Sequence, residues 1–279
     1  ACQLSEEEEL FLKDLDRYSS FIDMEKQCDP TDNTILTELI HTMLPLERFQ
    51  SQSSLPTIIM THMTSFLTAD IVPIQICIYL YSSISRLTII YGLQCRKQRI
   101  ESLVMFYEDL LRVLTKCHSR LMSLIKERHR EVCEESFKNN CSDKPIIQQL
   151  SSIVSLMSDY RVSIPFRRVV LTDTFRLFNI AFIEEVVKDH CTLMMGIQIQ
   201  MMVGMISEFE YQHKDILQSK KDNMVIVKEV SRVLVLSQKS ILNEEARAEI
   251  CPHIPGETLT KILNNYDKLS PGEIPPGII

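Results

Sequence analysis

Glycine is scarce in this chain, six residues in 279, and tryptophan is absent. An α/β fold uses glycine for phosphate loops, hairpin turns and strand ends, so six excludes much of that repertoire. No Asn-Gly, Asp-Gly or Gly-Gly pair occurs, which removes the strongest hairpin signal. Aromatic residues make up only 7%, which argues against an aromatic-lined carbohydrate or methyl-lysine site. Recognisable chemistry motifs are missing too. There is no Gly-x-x-x-x-Gly-Lys loop, no Gly-x-Gly-x-x-Gly turn and no Gly-x-Ser-x-Gly elbow, so neither a nucleotide site nor a hydrolase nucleophile is signalled.

Cysteine is plentiful, nine residues, but it never falls into the Cys-x-x-Cys knuckle that structural zinc prefers. An odd count, scattered positions and no secretory apolar segment predict free thiols in a reducing compartment, cytoplasmic or nuclear. Ala1 followed directly by Cys2 reads as an internal boundary, so the chain is expected to come from a longer intracellular protein.

What the chain does have is hydrophobic residues, 45% of the total, enough for a large core in one domain or two. Two segments, Ile71 to Tyr91 and Thr192 to Ile206, are apolar on nearly every side. A helix of that kind needs neighbours on several faces. Pro73, Gln75, Arg86 and several hydroxyls in the first, and the shortness of the second, place both in a soluble core with no membrane span.

The period of apolar residues predicts helices throughout. Ser5 and Glu6 to Glu9 form a capping box for a helix through Phe11, Leu15, Tyr18 and Ile22, and a second short helix ends at Pro45. A third starts at Pro56. Pro73 opens the first buried helix and Gly92 closes it. From Gln98 to about Lys138 a long spine carries Leu103, Phe106, Leu110, Leu114, Cys117, Leu121 and Leu124 on one stripe, and Asn139-Asn140 ends it. A helix through Ile146, Leu150, Ile153 and Met157 follows, then a turn between Arg161 and Pro165. Further helices are predicted over Thr172 to His190, Thr192 to Tyr211 and Asn223 to Asn243, the last with a competing strand tendency from its valines. These readings give an all-α fold of about ten helices, a layered multi-helix bundle or a short irregular α-solenoid. Residues 1–50 form an N-terminal hairpin, 55–250 a central body, and 255–279 a short helix with an extended tail, all in one continuous domain.

Candidate chemistry is thin. His129 and Cys133 share a helical face, but a buried Cys and a surface His on a charged helix end explain them without metal. His190 and Cys191, and the carboxylate pairs Glu184-Glu185 and Glu244-Glu245, diverge because neighbours in a helix point apart. Twin Glu-x-x-His motifs of di-iron bundles do not occur. No catalytic residue, cofactor or metal is predicted, and the chain is expected not to be an enzyme.

Two surfaces stand out as partner sites. Residues 86–130 hold ten Lys or Arg against four acidic residues, within a chain of net charge -7. There Arg112, Lys116 and Arg120 follow one another at i+4, a basic stripe that a solvated helix face explains adequately or that meets an acidic protein surface, with nucleic acid the less favoured occupant. The methionines Met194, Met195, Met201, Met202 and Met205 suit an adaptable groove for a partner helix or, more commonly, an irregular core. Gly196 and Gly204 fit the core reading by letting another helix approach. The function expected by elimination is a non-enzymatic protein–protein interaction domain, a scaffold or adaptor in a larger assembly. A regulatory domain of an enzyme or nucleotide switch, and a chromatin- or nucleic-acid-associated module, are the alternatives.

Overall fold

The computed structural model describes Thr64 and residues 73–97, 100–188, 191–217, 222–236 and 243–266. The described residues form nine helices, α1 Ile74–Lys97, α2 Glu101–Lys138, α3 Lys144–Asp159, α4 Ile164–Val186, α5 Leu193–Gln212, α6 Lys214–Leu217, α7 Val225–Val235, α8 Glu244–Ile250 and α9 Gly256–Asn264, with no strand among them. The all-α prediction holds. The helices read from Ser5 to Pro45 and the C-terminal tail lie outside the described residues. The chain divides into two compact units, residues 1–121 with 155–166, and residues 122–154 with 167–279.

In the first unit, α1 is apolar and long enough to cross a bilayer, yet Cys77, Ile78, Leu80, Ile84 and Leu87 are buried within the chain. Two of its hydroxyls are satisfied within the helix: Ser85 donates to the Ser82 carbonyl at 2.8 Å and Thr88 to that of Ile84 at 2.8 Å. Back-bonding of this kind lets Ser and Thr sit in an apolar helix without an orphaned donor. Gly92 does not close the helix, which runs on to Lys97. A Cβ at Gly92 would lie 3.1 Å from Cε2 of Tyr107, so this glycine admits a ring from α2 and is not a stop. Beside it the Tyr91 and Phe106 rings meet edge-on, 5.2 Å between centroids.

The turn after α3 is fixed from α1. Ser82 donates to the Tyr160 carbonyl at 2.7 Å, and Arg86 to the Arg161 carbonyl at 2.7 Å. Arg161 has φ 52, a left-handed conformation that a non-glycine residue keeps only when its surroundings enforce it.

The spine is a single helix. At ~1.5 Å per residue its 38 residues extend ~57 Å. Leu103, Phe106, Leu110, Val113, Cys117 and Leu121 are buried at spacings of three or four, while Leu114 and Leu124 sit half-buried at its margin. Asn140 and Cys141, at φ 56 and φ 55, turn the chain after Lys138.

In the second unit, α4 starts at Ile164, earlier than the predicted Thr172. Pro165 falls in the first turn, where its missing N–H is not needed, so it starts this helix and does not delay it. Thr192 caps α5 by accepting from the Met195 N–H at 3.1 Å. Helix α7 is shorter than the predicted span to Asn243: it ends when Leu236 turns extended at φ -74, ψ 160. Its valines are helical, with Val227, Val230, Val233 and Leu234 buried at helical spacing. After α9, Tyr266 donates its hydroxyl to the Leu234 carbonyl at 2.6 Å and the Cys191 N–H donates to the Asn265 carbonyl at 2.8 Å, closing this end of the unit.

Candidate docking surfaces

The basic stripe lies on α2, in the first unit, but its three members are not alike. Arg112 is exposed and held by its own helix, Nη1 at 2.7 Å from Asp109 and Nη2 at 3.9 Å from Glu108. Lys116 is exposed one turn on, and Arg120 is half-buried. Arg120 is close enough to lower the Cys77 thiol, an effect outweighed by burial, which pushes that thiol up to about 11. Exposed pairs such as Arg112 with Asp109 contribute about 0–1 kcal/mol each, so they neutralise more than they stabilise. Later basic residues are also answered: Arg128 by Glu131, and Arg130 by Glu184 through Nε at 3.0 Å. The excess of positive charge in the sequence is therefore partly cancelled in space.

The second surface belongs to α5. Its inner side packs on α7 through Gly196, where a Cβ would stand 2.7 Å from the Cβ of Leu234, and Ser231 donates to the Gly196 carbonyl at 3.0 Å. Met195, Ile199, Met202, Val203 and Ile206 are buried with it. The outer side is exposed, although the all-round apolar pattern predicts neighbours on several faces of this helix. Met194 is 61% exposed, Ile197 38%, Met201 71% and Met205 52%. Two of the five methionines fill the core and three face outward. Gly204 is on the outer side too, with no atom within 4 Å of its would-be Cβ, so the expected close approach of another helix is found at Gly196 and not at Gly204. Sequence reading missed this split because a helix that is apolar all round shows no preferred face.

The remaining candidates are structural. His129, expected at the surface, is buried because both ring nitrogens find partners inside, Nδ1 at 2.8 Å from the Gln149 carboxamide and Nε2 at 3.1 Å from the Thr174 carbonyl. A carbonyl only accepts, so Nε2 carries the proton. Nδ1 then accepts from Gln149 with its amide group turned to present NH2. Burial, partly opposed by those two bonds, pushes His129 down to about 4, so the ring is neutral and joins α2, α3 and α4. Cys133 is buried one turn along and pushed up to about 12, by burial first and by Glu185 and Glu184 next. Glu184 and Glu185 diverge as predicted, one to Arg130 and the other to Lys188 at 2.7 Å. Among the described residues no three His, Cys, Asp or Glu side chains gather as a metal site.

One buried carboxylate was not foreseen. Glu229 on α7 is 2% exposed and accepts from the His253 backbone N–H at 3.0 Å and its Nδ1 at 2.6 Å. It pins the turn between α8 and α9. Nothing in the local sequence marks Glu229, because its partner lies 24 residues away.

Comparison with known proteins finds a family match over part of the chain and a similar helical fold. A family model described as the DIL domain matches residues 169–270, less than half of the chain. The chain is 24% identical to the Myosin-H heavy chain of Dictyostelium discoideum over 165 residues, 55% of this chain and 9% of that protein. Its fold is similar to the globular tail domain of Myo4p, with a TM-score of 0.64 and 14% identity, covering 95% of this chain and 84% of that one. It is also similar to Myo2-GTD in complex with Mmr1, with a TM-score of 0.56 and 12% identity, covering 98% of this chain and 82% of that one.

Proposed function

We propose that this chain is a non-enzymatic protein-interaction domain that acts as an adaptor in the cytoplasm, in the manner of a motor tail that holds cargo through protein partners. The observation that carries this is the DIL match over residues 169–270, on a fold similar to globular tail domains, one of them in complex with another protein. It is supported by the absence of nucleotide, nucleophile and zinc-knuckle motifs from the whole sequence. The two engaged histidines support it as well: His129 and His253 are both bonded to structural partners.

The basic stripe is part of the proposal as a contact for an acidic partner surface, with Lys116 at its centre and Arg112 and Arg120 one turn to either side. Rim charges of this kind govern association rate and partner choice more than fold stability. The test uses the full chain as bait in a cytosolic extract, with captured proteins quantified by mass spectrometry and retested as purified partners. Saturable, stoichiometric binding of a protein is expected, and Arg112→Glu/Lys116→Glu, which spares the half-buried Arg120, should slow association at unchanged melting temperature. A chain that holds no protein partner undoes the function. Unchanged association kinetics in the double variant removes the stripe from it. Steep salt dependence with DNA or RNA would assign the stripe to phosphates instead.

A further inference from the structure

We propose that the outer face of α5 is a docking groove for one amphipathic helix of a partner protein, with a Lys or Arg of that helix set over Glu208. The assignment rests on the interaction function above and names the kind of partner and where it sits.

Three features of α5 point to a helix as occupant. First, Leu193, Ile197, Met201 and Met205 follow one another at i+4, and Gln200, Gly204 and Glu208 form the next row at the same spacing. Rows at i±4 are the ridges between which another helix lays its own side chains. Second, Gly204 lowers the second row in the middle, and no atom lies within 4 Å of its would-be Cβ. An interior helical glycine costs about 1 kcal/mol relative to alanine. On the inner side of this helix Gly196 serves to seat Leu234 of α7; Gly204 repeats that device on the outer side with no helix of the described chain upon it. Third, the exposed surface is methionine, whose flexible thioether moulds to an incoming apolar side chain. Met194 and Met205 are eleven residue steps apart, ~17 Å or three turns, which suits anchors at i, i+3 or i+4, i+7 and i+11 on the partner.

Charge sets the polarity of that partner. Leu193–Gln212 contains no Lys or Arg, and its two charged residues are Glu208 and Glu210. Glu210 is half-buried and bonded to Asn223 at 2.8 Å. Glu208 is exposed, accepts from Gln212 at 3.2 Å, and makes no ion pair among the described residues. The nearest following cation, Lys214, sits over the Tyr211 ring at 4.5 Å. The negative end of the helix dipole lies at the same terminus, so the groove is apolar along its length and acidic at one end.

The experiment labels the full chain with 13C at the methionine methyls and titrates it with an 18-residue helical peptide carrying leucines at i, i+4, i+7 and i+11 and lysines at one end. A second peptide has glutamates in place of the lysines. Expected are shifts of Met194, Met201 and Met205 with Met195 and Met202 unmoved, at least tenfold weaker binding of the glutamate peptide, loss of binding in Met201→Glu and Gly204→Ile, and retention in Met201→Leu. The same order of effects is expected for a protein partner purified with the full chain. Shifts that depend on chain concentration without peptide would assign the face to a second copy, and shifts with anionic vesicles alone to a membrane; either overturns the proposal. If a purified partner binds Met201→Glu as tightly as the parent, the groove assignment fails while the interaction function stands. If no partner binds the parent chain, the function itself fails.

Discussion

A Cβ on Gly196 would stand 2.7 Å from the Cβ of Leu234 and 3.2 Å from its carbonyl carbon, closer than side chains pack, so α5 and α7 depend on this residue having none. The partner atoms belong to a buried helix and cannot swing away. Gly196→Ala should therefore destabilise by about 1–3 kcal/mol through overpacking. Gly204→Ala meets nothing within 4 Å and should leave stability unchanged or raise it by up to about 1 kcal/mol through helix propensity. Denaturant midpoints of the two variants check this, and equal shifts would mean that α5 does not pack as described.

Leu110 is fully buried in the spine stripe. Leu110→Ala removes three heavy atoms from a packed site and should cost about 2–5 kcal/mol. A melting temperature within a degree of the parent would put this face of α2 outside the core.

His129 makes stability depend on pH with a definite sign. Its folded value is pushed down to about 4 against an ordinary 6.5, so between those values the unfolded chain binds the extra proton. The contribution is fully present above pH 6.5 and is lost as pH falls towards 4, to a total of about 3 kcal/mol. The difference in stability between parent and His129→Gln, followed from pH 7.5 to 4, should shrink towards acid. A difference that stays constant across that range would refute the buried neutral ring.

Glu229 holds two donors from His253 while almost fully buried. Glu229→Ala leaves the His253 N–H without its acceptor and should cost about 1–3 kcal/mol. Hydrogen exchange reads the local consequence: the His253 amide should lose its protection, whereas protection of the α2 core amides should fall only as far as global stability does. An unchanged His253 amide would mean that the carboxylate does not hold this turn.

Thiol reactivity should be graded by burial. Cys77 and Cys133 are pushed up to about 11 and about 12, and burial raises Cys117 as well. The thiolate is the nucleophile, so at pH 7.5 these three should resist alkylation in the native chain. Cys95, half-buried near the end of α1, should react well before them. Mass mapping after a short pulse of iodoacetamide tests the order, and labelling of Cys133 as fast as Cys95 would contradict the packing around α2.

Much of the architecture was legible in the residues because it is local. The i, i+3, i+4 stripe from Leu103 to Leu121 determines a helix and its buried side whatever the helix packs against. Asn139-Asn140 as the end of the spine follows from side-chain and backbone chemistry within one turn. Boundaries set by punctuation alone were less secure. Gly92 reads as a stop and serves as a seat for Tyr107, and Pro165 reads as part of a turn and lies in the first turn of α4. In each case a residue with two physical uses was decided by what packs beside it.

The sequence by itself determined the class of the protein: few glycines, no hairpin turns and helical periodicity leave an all-α chain, and missing motifs leave interaction as the expected function. Only the tertiary structure decided which apolar side chains are used inside the chain and which remain available to a partner. Met195 and Met202 are core while Met194, Met201 and Met205 are exposed, although all five look alike in the sequence. The basic stripe shows the same limit, since Arg112 is exposed but answered by Asp109, Lys116 is exposed and Arg120 is half-buried. The physical reason is common to both: periodicity specifies that a face exists, but burial and pairing depend on where the neighbouring helices lie, and those contacts join residues far apart in the chain.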